Sequence, residues 1–377
     1  MKFTCKMEDL KKTLNSVSPA ISNKPATPIL GGLRVKAEAD TVYLHGVNVN
    51  YTMVAKMPAE VKEDGEILVN ASRFTDFVRG SDAEEVTIST DKDFSALKLK
   101  ADKANFKLVM MKMDGFPSMP DINDLETWKD RFTIKKKDLA TIVKQTSYAV
   151  AAGNAPQPVY TGMLCVIEKE NLTIVGTNTR RMAIRNFAMN TGMELNTVIP
   201  VKVMTSAVKV GKEDEERDIV FAFHNNSVLI QNGDWLVVSQ VLGNKFPDVR
   251  KVIPKDEMAT MTFTCNRADL AGAITRMALV GGIDDGYSII TMEVTENNLK
   301  VSASSREVGF GEEEVECKTD GKDVKISFNA GYWTDMLNNM PTDEVKVSIV
   351  APLNPVKVSP VGYDDYIYVL TPIRTVG

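Results

Sequence analysis

The side chains that most often carry catalysis or bind metals are scarce and scattered in this sequence. Histidine occurs only at His45 and His224, which argues against a histidine-based metal site and against a Ser–His catalytic triad. Acidic residues are common, but they form runs such as 213–216 and 312–314, which are typical of solvated surfaces. The sequence contains no Walker loop, Gly-x-Ser-x-Gly motif or dinucleotide fingerprint. These residue types predict no catalytic centre, no cofactor and no metal ion.

The four cysteines and the overall composition indicate a protein of a reducing compartment. No Cys-x-x-Cys pair is present, so we expect buried thiols in strands rather than disulfides or metal ligands. The N-terminal stretch lacks the apolar core of a signal peptide, and no apolar run reaches the roughly 18 residues of a membrane helix. The sequence therefore predicts a cytoplasmic protein without a membrane partner. The cysteines are Cys5, Cys165, Cys265 and Cys317.

One sequence phrase, Phe-Thr-x-x-x-x-Asp-Leu, occurs three times and marks the start of each repeat. It starts at Phe3, Phe132 and Phe263, at intervals of 129 and 131 residues. Intervals of this size correspond to a whole domain rather than to a solenoid repeat of about 20–50 residues. We therefore expect three copies of one domain, with boundaries at 1–128, 129–258 and 259–377.

Each copy shows the same order of predicted elements. The Phe-Thr strand leads into a helix, and a second, shorter helix follows at 72–79, 202–210 or 331–339. The remaining segments alternate apolar and polar residues, as antiparallel strands with one wet face do. Each domain is thus predicted to be α+β, with two halves that each run strand, helix, strands. Residues that are apolar, with the exception of Thr146, recur at helical spacing in the first helices: Leu10, Leu14 and Val17; Leu139, Ile142, Val143 and Thr146; Leu270, Ala273, Ile274 and Met277.

Charge alone leaves the function open, but geometry favours a ring. The net charge is −5, while Lys and Arg gather on the predicted helices. Helices facing nucleic acid and helices that are merely solvated fit this pattern equally well. A domain of this size is about 36 Å across, so three in a ring leave a hole of roughly 6 Å and six leave about 36 Å, wide enough for duplex DNA. Three domains per chain reach six through a head-to-tail dimer.

Four further segments resemble the bacterial sliding clamp family, the beta subunit of the replicative DNA polymerase III. They are KPATPILGG (24–32), GNKFPDVRKVIP (243–254), SFNAGYWTDMLN (327–338) and YVLTPIR (368–374). The resemblance covers the whole chain. It implies a head-to-tail homodimeric ring with helices lining the hole, which encircles duplex DNA without reading its sequence. It also implies a non-catalytic processivity factor that holds the polymerase alpha subunit, the clamp loader and other partners by short peptides.

The resemblance also implies a peptide pocket between the second and third domains, for peptides with a Gln and a C-terminal Leu/Phe cluster. The family's Thr-Asp-(Gly/Ser)-His-Arg-Leu stretch reads here Thr-Asn-Thr-Arg-Arg-Met at 177–182, with one acid lost and one cation gained. The positions that match the pocket are Tyr160, Thr177, Thr179, Arg180, Arg181, Met182, Pro247, Lys251, Val252, Asn329, Tyr332, Leu370, Pro372, Ile373 and Arg374.

Two further sets of residues are predicted to contact DNA or the second copy of the chain. The resemblance implies that Lys24, Arg73, Arg79, Asn154 and Lys202 face DNA. The pattern of positive charge on the predicted helices adds the cations Lys12, Lys136 and Arg276. The dimer interface is predicted at Phe106, Leu108, Leu279 and Val280, with Glu312, Glu313 and Glu314 facing Lys103 and Lys107.

Two other classes of function compete with a clamp. A repeat-built scaffold that binds polysaccharide or protein would need exposed aromatic platforms, and the chain has only three tryptophans. An enzyme with an unrecognised site would need a catalytic constellation, which the sequence does not show.

Overall fold

The structure is a computed structural model that describes the chain except for residues 23, 24, 26, 92–94, 121–127, 129, 212–214, 244, 245, 282, 285, 286 and 375–377. The backbone contacts divide it into two compact units. Unit 1 comprises Met1–Ala140 and Lys202–Val241, and unit 2 comprises Thr141–Val201 and Leu242–Gly377. The three predicted domain boundaries stay a prediction.

The helices and strands of the described residues follow the predicted mixture of many strands and few helices. The α-helices are α1 (Met7–Val17), α2 (Ala71–Gly80), α3 (Lys136–Ser147), α4 (Val201–Lys209), α5 (Arg267–Ala278) and α6 (Ala330–Leu337). The strands are β1 (Lys2–Lys6), β2 (Gly32–Glu38), β3 (Thr41–Val47), β4 (Tyr51–Pro58), β5 (Glu60–Glu63), β6 (Gly65–Asn70), β7 (Glu85–Thr90), β8 (Ala96–Ala101), β9 (Ala104–Met111), β10 (Asp130–Lys135), β11 (Gly162–Glu168), β12 (Asn171–Thr177), β13 (Arg181–Ala188), β14 (Leu195–Pro200), β15 (Asp218–His224), β16 (Ser227–Asn232), β17 (Trp235–Gln240), β18 (Met261–Asn266), β19 (Ile283–Asp284), β20 (Tyr287–Thr295), β21 (Asn298–Ser305), β22 (Gly309–Gly321), β23 (Val324–Asn329), β24 (Glu344–Ile349), β25 (Val356–Pro360) and β26 (Tyr366–Leu370).

The repeated Phe-Thr phrase forms the same local structure three times. Strands β1, β10 and β18 each lead directly into a helix, namely α1, α3 and α5. The apolar residues predicted to share one face of each helix are all buried, because a 3.6-residue period places them on the side that packs against the sheet. The α+β prediction is confirmed.

Unit 1 is built on one 13-stranded sheet. Its strand order is β10-β15-β16-β17-β4-β3-β2-β6-β9-β8-β7-β1-β5. The paired strands are antiparallel throughout, and α1 packs on β3 and β4. This sheet therefore joins strands from the first repeat to strands from the second.

Unit 2 repeats the arrangement with strands from the second and third repeats. Its order is β14-β11-β12-β13-β26-β25-β24-β18-β22-β21-β20-β19, and β23 pairs with β20. Helix α5 packs on β20, β21 and β22 and against α6. Trp333 of α6, Phe263 of β18 and Phe328 of β23 are fully enclosed in the core of unit 2.

Within each unit, one strand pairing joins two successive repeats, and the register is the same in both. We call the pairing of β17 with β4 the first joint and the pairing of β26 with β13 the second joint. The opposed residues run from Trp235–Ala55 to Ser239–Tyr51 at the first joint, and from Tyr366–Arg185 to Leu370–Arg181 at the second.

Candidate functional site

A cavity of about 280 Å³ opens in unit 2 where β12, β13 and β26 meet the segment 246–252. Its floor belongs to an apolar cluster that includes Met182 of β13 and Val369 of β26. Such a cavity suits an aliphatic or aromatic side chain. The lining residues are Tyr160, Thr177, Thr179, Arg180, Arg181, Met182, Phe246, Pro247, Asp248, Val249, Val252, Pro355, Val369 and Thr371.

One rim of the cavity is a tight turn held by its own side chains. The Thr177 hydroxyl donates to the Arg181 carbonyl at 2.7 Å and accepts from the Thr179 N–H at 3.1 Å. The Asn178 side chain accepts from the N–H groups of Arg180 and Arg181, both at 3.0 Å. Thr179 has φ of 75°, a left-handed conformation that costs a non-glycine residue about 1 kcal/mol or more. These bonds offset that cost and fix the turn.

The two arginines of the turn have different roles. The Arg181 guanidinium lies 4.4 Å from the ring centre of Tyr332 and 5.4 Å from that of Tyr148, and its Nη1 lies 2.6 Å from the Asp335 carboxylate. The charge of Arg181 is thus compensated within unit 2. Arg180 is exposed, and its guanidinium forms no ion pair with any residue that the structure describes. Arg180 is therefore the cation available to a ligand at this rim.

The opposite wall is aromatic and aliphatic. The rings of Tyr160 and Phe246 meet edge to face with centres 5.8 Å apart. Asp248 accepts from the Arg250 N–H at 3.2 Å and so starts the short helical turn that carries Val252. Val252 remains 52 % exposed, although it is a large apolar residue. An exposed aliphatic side chain beside a preformed cavity is typical of a binding surface.

The structure brings eight of the fifteen predicted pocket residues to the cavity: Tyr160, Thr177, Thr179, Arg180, Arg181, Met182, Pro247 and Val252. Whether they bind a peptide stays a prediction. The other seven lie outside the lining: Lys251, Asn329, Tyr332, Leu370, Pro372, Ile373 and Arg374. Sequence reasoning missed six lining residues: Phe246, Asp248, Val249, Pro355, Val369 and Thr371.

Two of these corrections have clear structural causes. Successive side chains of a strand point to opposite faces. Val369 therefore reaches the cavity, while Leu370 points into the other core of unit 2. Asn329 caps α6, because its side chain accepts from the N–H groups of Gly331 at 2.8 Å and Tyr332 at 3.3 Å. The alternation along β26 was the signal that would have selected Val369.

Asn329→Ala is expected to lower the free energy of unfolding by about 1 kcal/mol, because the first turn of α6 loses its cap. Chemical denaturation measures this change. Asn329→Asp keeps a capping oxygen and is the matched control. Peptide affinity should be unchanged in both variants. An affinity loss in Asn329→Ala that exceeds its loss of stability would make Asn329 a ligand after all.

Besides the strands at the ends of the two sheets, strands β9 and β22 each have a stretch of backbone edge that is unpaired within the described residues. Strand β9 pairs with β8 along Ala104–Val109 but meets β6 only at Met110 and Met111. Strand β22 pairs with β21 over Gly309–Glu316 and with β18, on its other side, only over Cys317–Gly321. Each unit thus presents a stretch of free N–H and C=O groups, which invites pairing with another strand.

Exposed apolar side chains accompany both edges. In unit 1, the ring of Phe106 packs on Phe77 of α2 with centres 4.8 Å apart, beside a cavity of about 400 Å³. In unit 2, Leu279, at the end of α5, is 76 % exposed, and Phe310 on β22 is also exposed. Apolar groups left at an open edge mark a surface that another chain covers.

The predicted interface residues lie at these two edges. Leu108 and Val280 are half-buried, and Val280 also packs against the unit 2 core. Among the charged residues, the Lys107 Nζ lies 3.3 Å from Asp91, and Glu313 pairs with Arg276 at 2.5 Å. Lys103, Glu312 and Glu314 are exposed. The predicted interface did not include Val109, Val308 and Phe310, which are exposed.

Comparison with known proteins decides the family. Profiles of the DNA polymerase III beta subunit match residues 1–120 as its N-terminal domain, 133–248 as its central domain and 250–374 as its C-terminal domain. The chain belongs to the DNA polymerase III beta subunit family. The predicted family is confirmed, and with it the function of a DNA sliding clamp.

Individual members of the beta subunit family agree along the whole chain. The beta sliding clamps of Staphylococcus epidermidis and Staphylococcus aureus are both 28% identical to it, with 100% of each chain covered. The crystal structure of the Bacillus subtilis sliding clamp matches with a TM-score of 0.91 at 23% identity, and the Thermotoga maritima beta subunit with 0.90 at 22%. Both alignments cover 100% of each chain. These structures share the fold.

The resemblance to the beta subunit family and the charge pattern predicted eight positions that face DNA, and most of these positions are exposed. Lys24 lies outside the described residues. Arg79 donates to the Asn15 side chain at 3.2 Å, and Arg276 donates to Glu313. That these residues meet DNA stays a prediction. The exposed positions are Lys12, Arg73, Arg79, Asn154, Lys202 and Arg276.

Lys136 corrects that prediction. It is the first residue of α3, and its side chain is 0 % exposed. Its Nζ lies 4.0 Å from the Glu215 carboxylate, and its N–H donates to the Arg217 carbonyl at 2.8 Å. The lysine run at the start of α3 suggested a solvated face, but the Lys136 side chain is enclosed in the protein. Lys136 therefore does not face DNA.

One of the two histidines and three of the four cysteines lie in cores, while His224 is exposed and Cys317 is half-buried. Burial lowers the pKa of His45 to about 3, so its ring stays neutral. Burial raises the pKa of Cys5, Cys165 and Cys265 to about 12, which keeps these thiols protonated and poor nucleophiles. The described residues hold no cluster of three or more His, Cys, Asp or Glu arranged to bind a metal ion. No helix in the described part of the chain is long and apolar enough to cross a membrane.

Proposed function

We propose that two copies of this chain close head to tail into a ring that encircles duplex DNA and tethers partners at the unit 2 cavity. The observation that carries the proposal is the pair of free edges. Strand β9 occupies the place in the first repeat that β17 and β26 occupy in the later repeats, and β22 occupies the place of β4 and β13. The two internal joints are therefore pairings of the same kind, and the two free edges are the halves of a third joint.

The internal joints also supply the register of that third joint. Ala104 of β9 takes the place that Trp235 has in β17 and Tyr366 has in β26, judged by the pairing of each strand with the one before it. In the same way, Glu313 of β22 takes the place of Ala55 in β4 and Arg185 in β13. Transferring the register between copies gives the opposed pairs Ala104–Glu313, Asn105–Glu312, Phe106–Gly311, Lys107–Phe310 and Leu108–Gly309.

The side chains fit this register. Phe106 lies opposite Gly311, where a Cβ would be crowded by Val280 Cγ2 at 3.0 Å and Met277 Sδ at 3.2 Å, so the glycine leaves room for the partner's ring. On the other face, Lys103 lies opposite Glu314, and Lys107 is diagonal to Glu312. Opposite charges across paired strands stabilise a sheet by about 0.2–1 kcal/mol each.

A chain carrying both Asn105→Cys and Glu312→Cys is expected to form covalent dimers under mild oxidation, because the register places these exposed residues opposite each other in different protomers. Non-reducing electrophoresis measures the product. The matched control pairs Asn105→Cys with Glu313→Cys, whose side chain lies on the opposite face and should crosslink poorly. Equal yields for the two pairs would rule out the proposed register.

A ring of this kind should hold DNA by topology rather than by affinity. The net charge of −5 makes direct attraction weak, and phosphate contacts carry no sequence information. After loading onto a nicked circle by a clamp loader, the protein is expected to remain bound in high salt and to leave when the circle is cut. A pull-down before and after cleavage measures this, with uncut circles as the control. Retention on linear DNA with free ends would contradict a ring.

The unit 2 cavity is the proposed anchor for partners. Its volume and apolar floor fit one or two aliphatic or aromatic side chains of a short peptide, such as one from the polymerase alpha subunit or the clamp loader. The chain itself is proposed to be non-catalytic and cytoplasmic, and the burial of His45, Cys5, Cys165 and Cys265 supports the first of these statements. In this proposal the two free edges close the ring, the closed ring encircles the DNA, and the cavity tethers the partners.

A further inference from the structure

Two of the four cysteines lie directly opposite each other in the sheet of unit 2. In the pairing of β18 with β22, Cys265 is the partner of Cys317, and both are free thiols. Cys265 is buried in the core of unit 2, and Cys317 is half-buried and packs against the same core. Neither residue lines the peptide cavity or belongs to the register proposed for the third joint.

The hydrogen bonds of β18 show which kind of pair the two cysteines form. The Lys322 N–H donates to the Thr260 carbonyl at 2.9 Å, and these two residues continue the register of β18 and β22 by one position. Hydrogen-bonded pairs alternate with non-hydrogen-bonded pairs along an antiparallel ladder. Cys265 and Cys317, an odd number of positions further along, therefore form a non-hydrogen-bonded pair.

The other side of β18 leads to the same assignment. The Arg267 N–H donates to the Asp343 carbonyl at 2.7 Å, one position beyond the paired stretch of β18 and β24. Successive residues of a strand direct their backbone groups to opposite neighbours, so alternate residues share a direction. Cys265, two positions before Arg267, thus directs its N–H and C=O groups toward β24 and away from Cys317.

A pair of this kind has the geometry that a disulfide needs. The Cα atoms of a non-hydrogen-bonded pair lie about 4.5 Å apart, and their side chains share one face of the sheet at the closest approach. A disulfide joins residues whose Cα atoms are about 4.4–6.8 Å apart. The sulfur atoms of Cys265 and Cys317 can therefore bond while β18 and β22 keep their places.

The other two cysteines provide an internal comparison. Cys5 has the same place in the first repeat that Cys265 has in the third, directly after Phe-Thr, but its partner on β7 is Val86. Cys165 lies opposite Ile174 of β12, and its partner on β14 is a threonine. A buried cysteine in a strand thus does not by itself produce a pair of thiols.

The position of Cys317 within β22 gives the pair a possible consequence for the free edge. Residues Cys317–Gly321 pair with β18. Residues Gly309–Glu316 pair with β21 and leave their other side free among the described residues. Cys317 is therefore the residue at which β22 separates from β18, and a bond to Cys265 would fix the base of the free edge.

We propose that Cys265 and Cys317 form an oxidation site, at which hydrogen peroxide closes a reversible disulfide that ties β22 to β18. Cys317 is the less buried and reacts first. Its sulfur bonds to one peroxide oxygen, the O–O bond breaks, and the other oxygen leaves as water with the thiol proton. The Cys265 sulfur then attacks the sulfenic sulfur of Cys317, the S–O bond breaks, and a second water leaves with the proton of Cys265. The two thiols lose two electrons, which the peroxide gains.

Burial makes this site slow to react. It raises the pKa of Cys317, and it raises the pKa of Cys265 to about 12, so both groups are protonated thiols at neutral pH. A reducing compartment keeps such a pair as thiols, and the bridge forms on sustained exposure to peroxide. The site lies wholly within unit 2 and does not rest on the proposed ring.

The test exposes the full-length protein to hydrogen peroxide under native conditions and then labels the remaining thiols with N-ethylmaleimide in denaturant. The intact mass is expected to show two labels after oxidation instead of four. A protease digest should contain one linked pair of peptides, with Cys265 and Cys317. Dithiothreitol should restore all four labels, which distinguishes a disulfide from an irreversible sulfinic acid. Four labels after oxidation, or a bridge between other cysteines, would overturn the proposal.

Matched variants separate this pair from general oxidation. Cys5→Ser/Cys165→Ser lacks the two cysteines that have no thiol opposite them, and it should still lose both of its labels. Cys317→Ser should keep all three of its labels under the same treatment. A thermal melt verifies the fold, and the peptide map of the parent decides the question if a variant does not fold. Loss of labels from Cys317→Ser at the rate of the parent would contradict the pairing.

Hydrogen exchange measures what the bridge does to β22. The backbone amides of residues 317–321 are expected to exchange more slowly in the oxidised parent than in the reduced parent, because the bond holds β22 against β18 where the two strands separate. Cys317→Ser, treated with peroxide in the same way, should show no such slowing. Equal exchange in the oxidised and reduced parent would show that the base of the free edge is not tied, and would overturn that part of the proposal.

Discussion

Leu279→Asp is expected to leave the protein monomeric at concentrations where the parent is a dimer. The side chain is 76 % exposed at the end of α5, next to Val280 and on the side of β22 that faces Phe106 in the proposed third joint. Closing the joint would bury the new carboxylate without a partner, which costs about 3–5 kcal/mol. A head-to-tail ring contains two such joints, so the closed dimer loses this amount twice. Light scattering over a concentration series measures the mass.

The experiment has a matched control on the same unit. Leu353 is also an exposed leucine, and it lies on a turn of unit 2 that belongs to neither free edge. Leu353→Asp should remain a dimer. Because Leu279 is exposed in the single chain, its substitution should not unfold the protomer, and circular dichroism verifies this. A dimer that persists in Leu279→Asp would place the interface elsewhere and leave the free edges unexplained.

The sequence was sufficient to predict the elements and the repeat. The apolar residues of α1, α3 and α5 follow the helical period, so local periodicity alone indicated which faces are buried. The Phe-Thr phrase marked the start of each repeat, and the structure forms the same strand and helix there three times. These features depend on residues that are near one another in the chain.

The joints could not be predicted in the same way. At the first joint Trp235 lies opposite Ala55, although 180 positions separate them, and neither segment differs in composition from the other strands. The pairing is set by the shape of two neighbouring domains. Only the structure shows that β17 pairs with β4 in unit 1 and that β26 pairs with β13 in unit 2. It also shows that β9 keeps a free edge among the described residues.

The errors in the site share one physical origin. The position-by-position transfer placed Leu370 in the pocket, although Val369 is the residue of β26 that faces it. Lys136 was taken as solvated, although its side chain, at the first position of α3, is enclosed in the protein. In both cases the segment was correct and the direction of the side chain was wrong. The direction in which a side chain points changes when a segment shifts by one residue, and tertiary packing decides that register.

Val252→Glu is expected to weaken peptide binding by about ten- to hundredfold. A Leu or Phe anchor buried in the unit 2 cavity contributes roughly 1.5–3 kcal/mol, and about 1.4 kcal/mol corresponds to a factor of ten in affinity. A carboxylate on the wall of the cavity would be desolvated by such an anchor, so most of that contribution is lost. Fluorescence polarisation with a labelled peptide that carries a Gln and ends in a Leu/Phe cluster measures the change.

The choice of Val252 keeps this test separate from folding. Met182 also lines the cavity, but it is only 4 % exposed, so a charge at Met182 would destabilise the protomer as well. Val252 is half exposed before any peptide binds, and Val252→Glu should melt at the same temperature as the parent. The matched control is Met258→Glu, a comparably exposed apolar residue a few positions further along that does not line the cavity. If Val252→Glu binds the peptide as tightly as Met258→Glu does, partners anchor elsewhere on the protein.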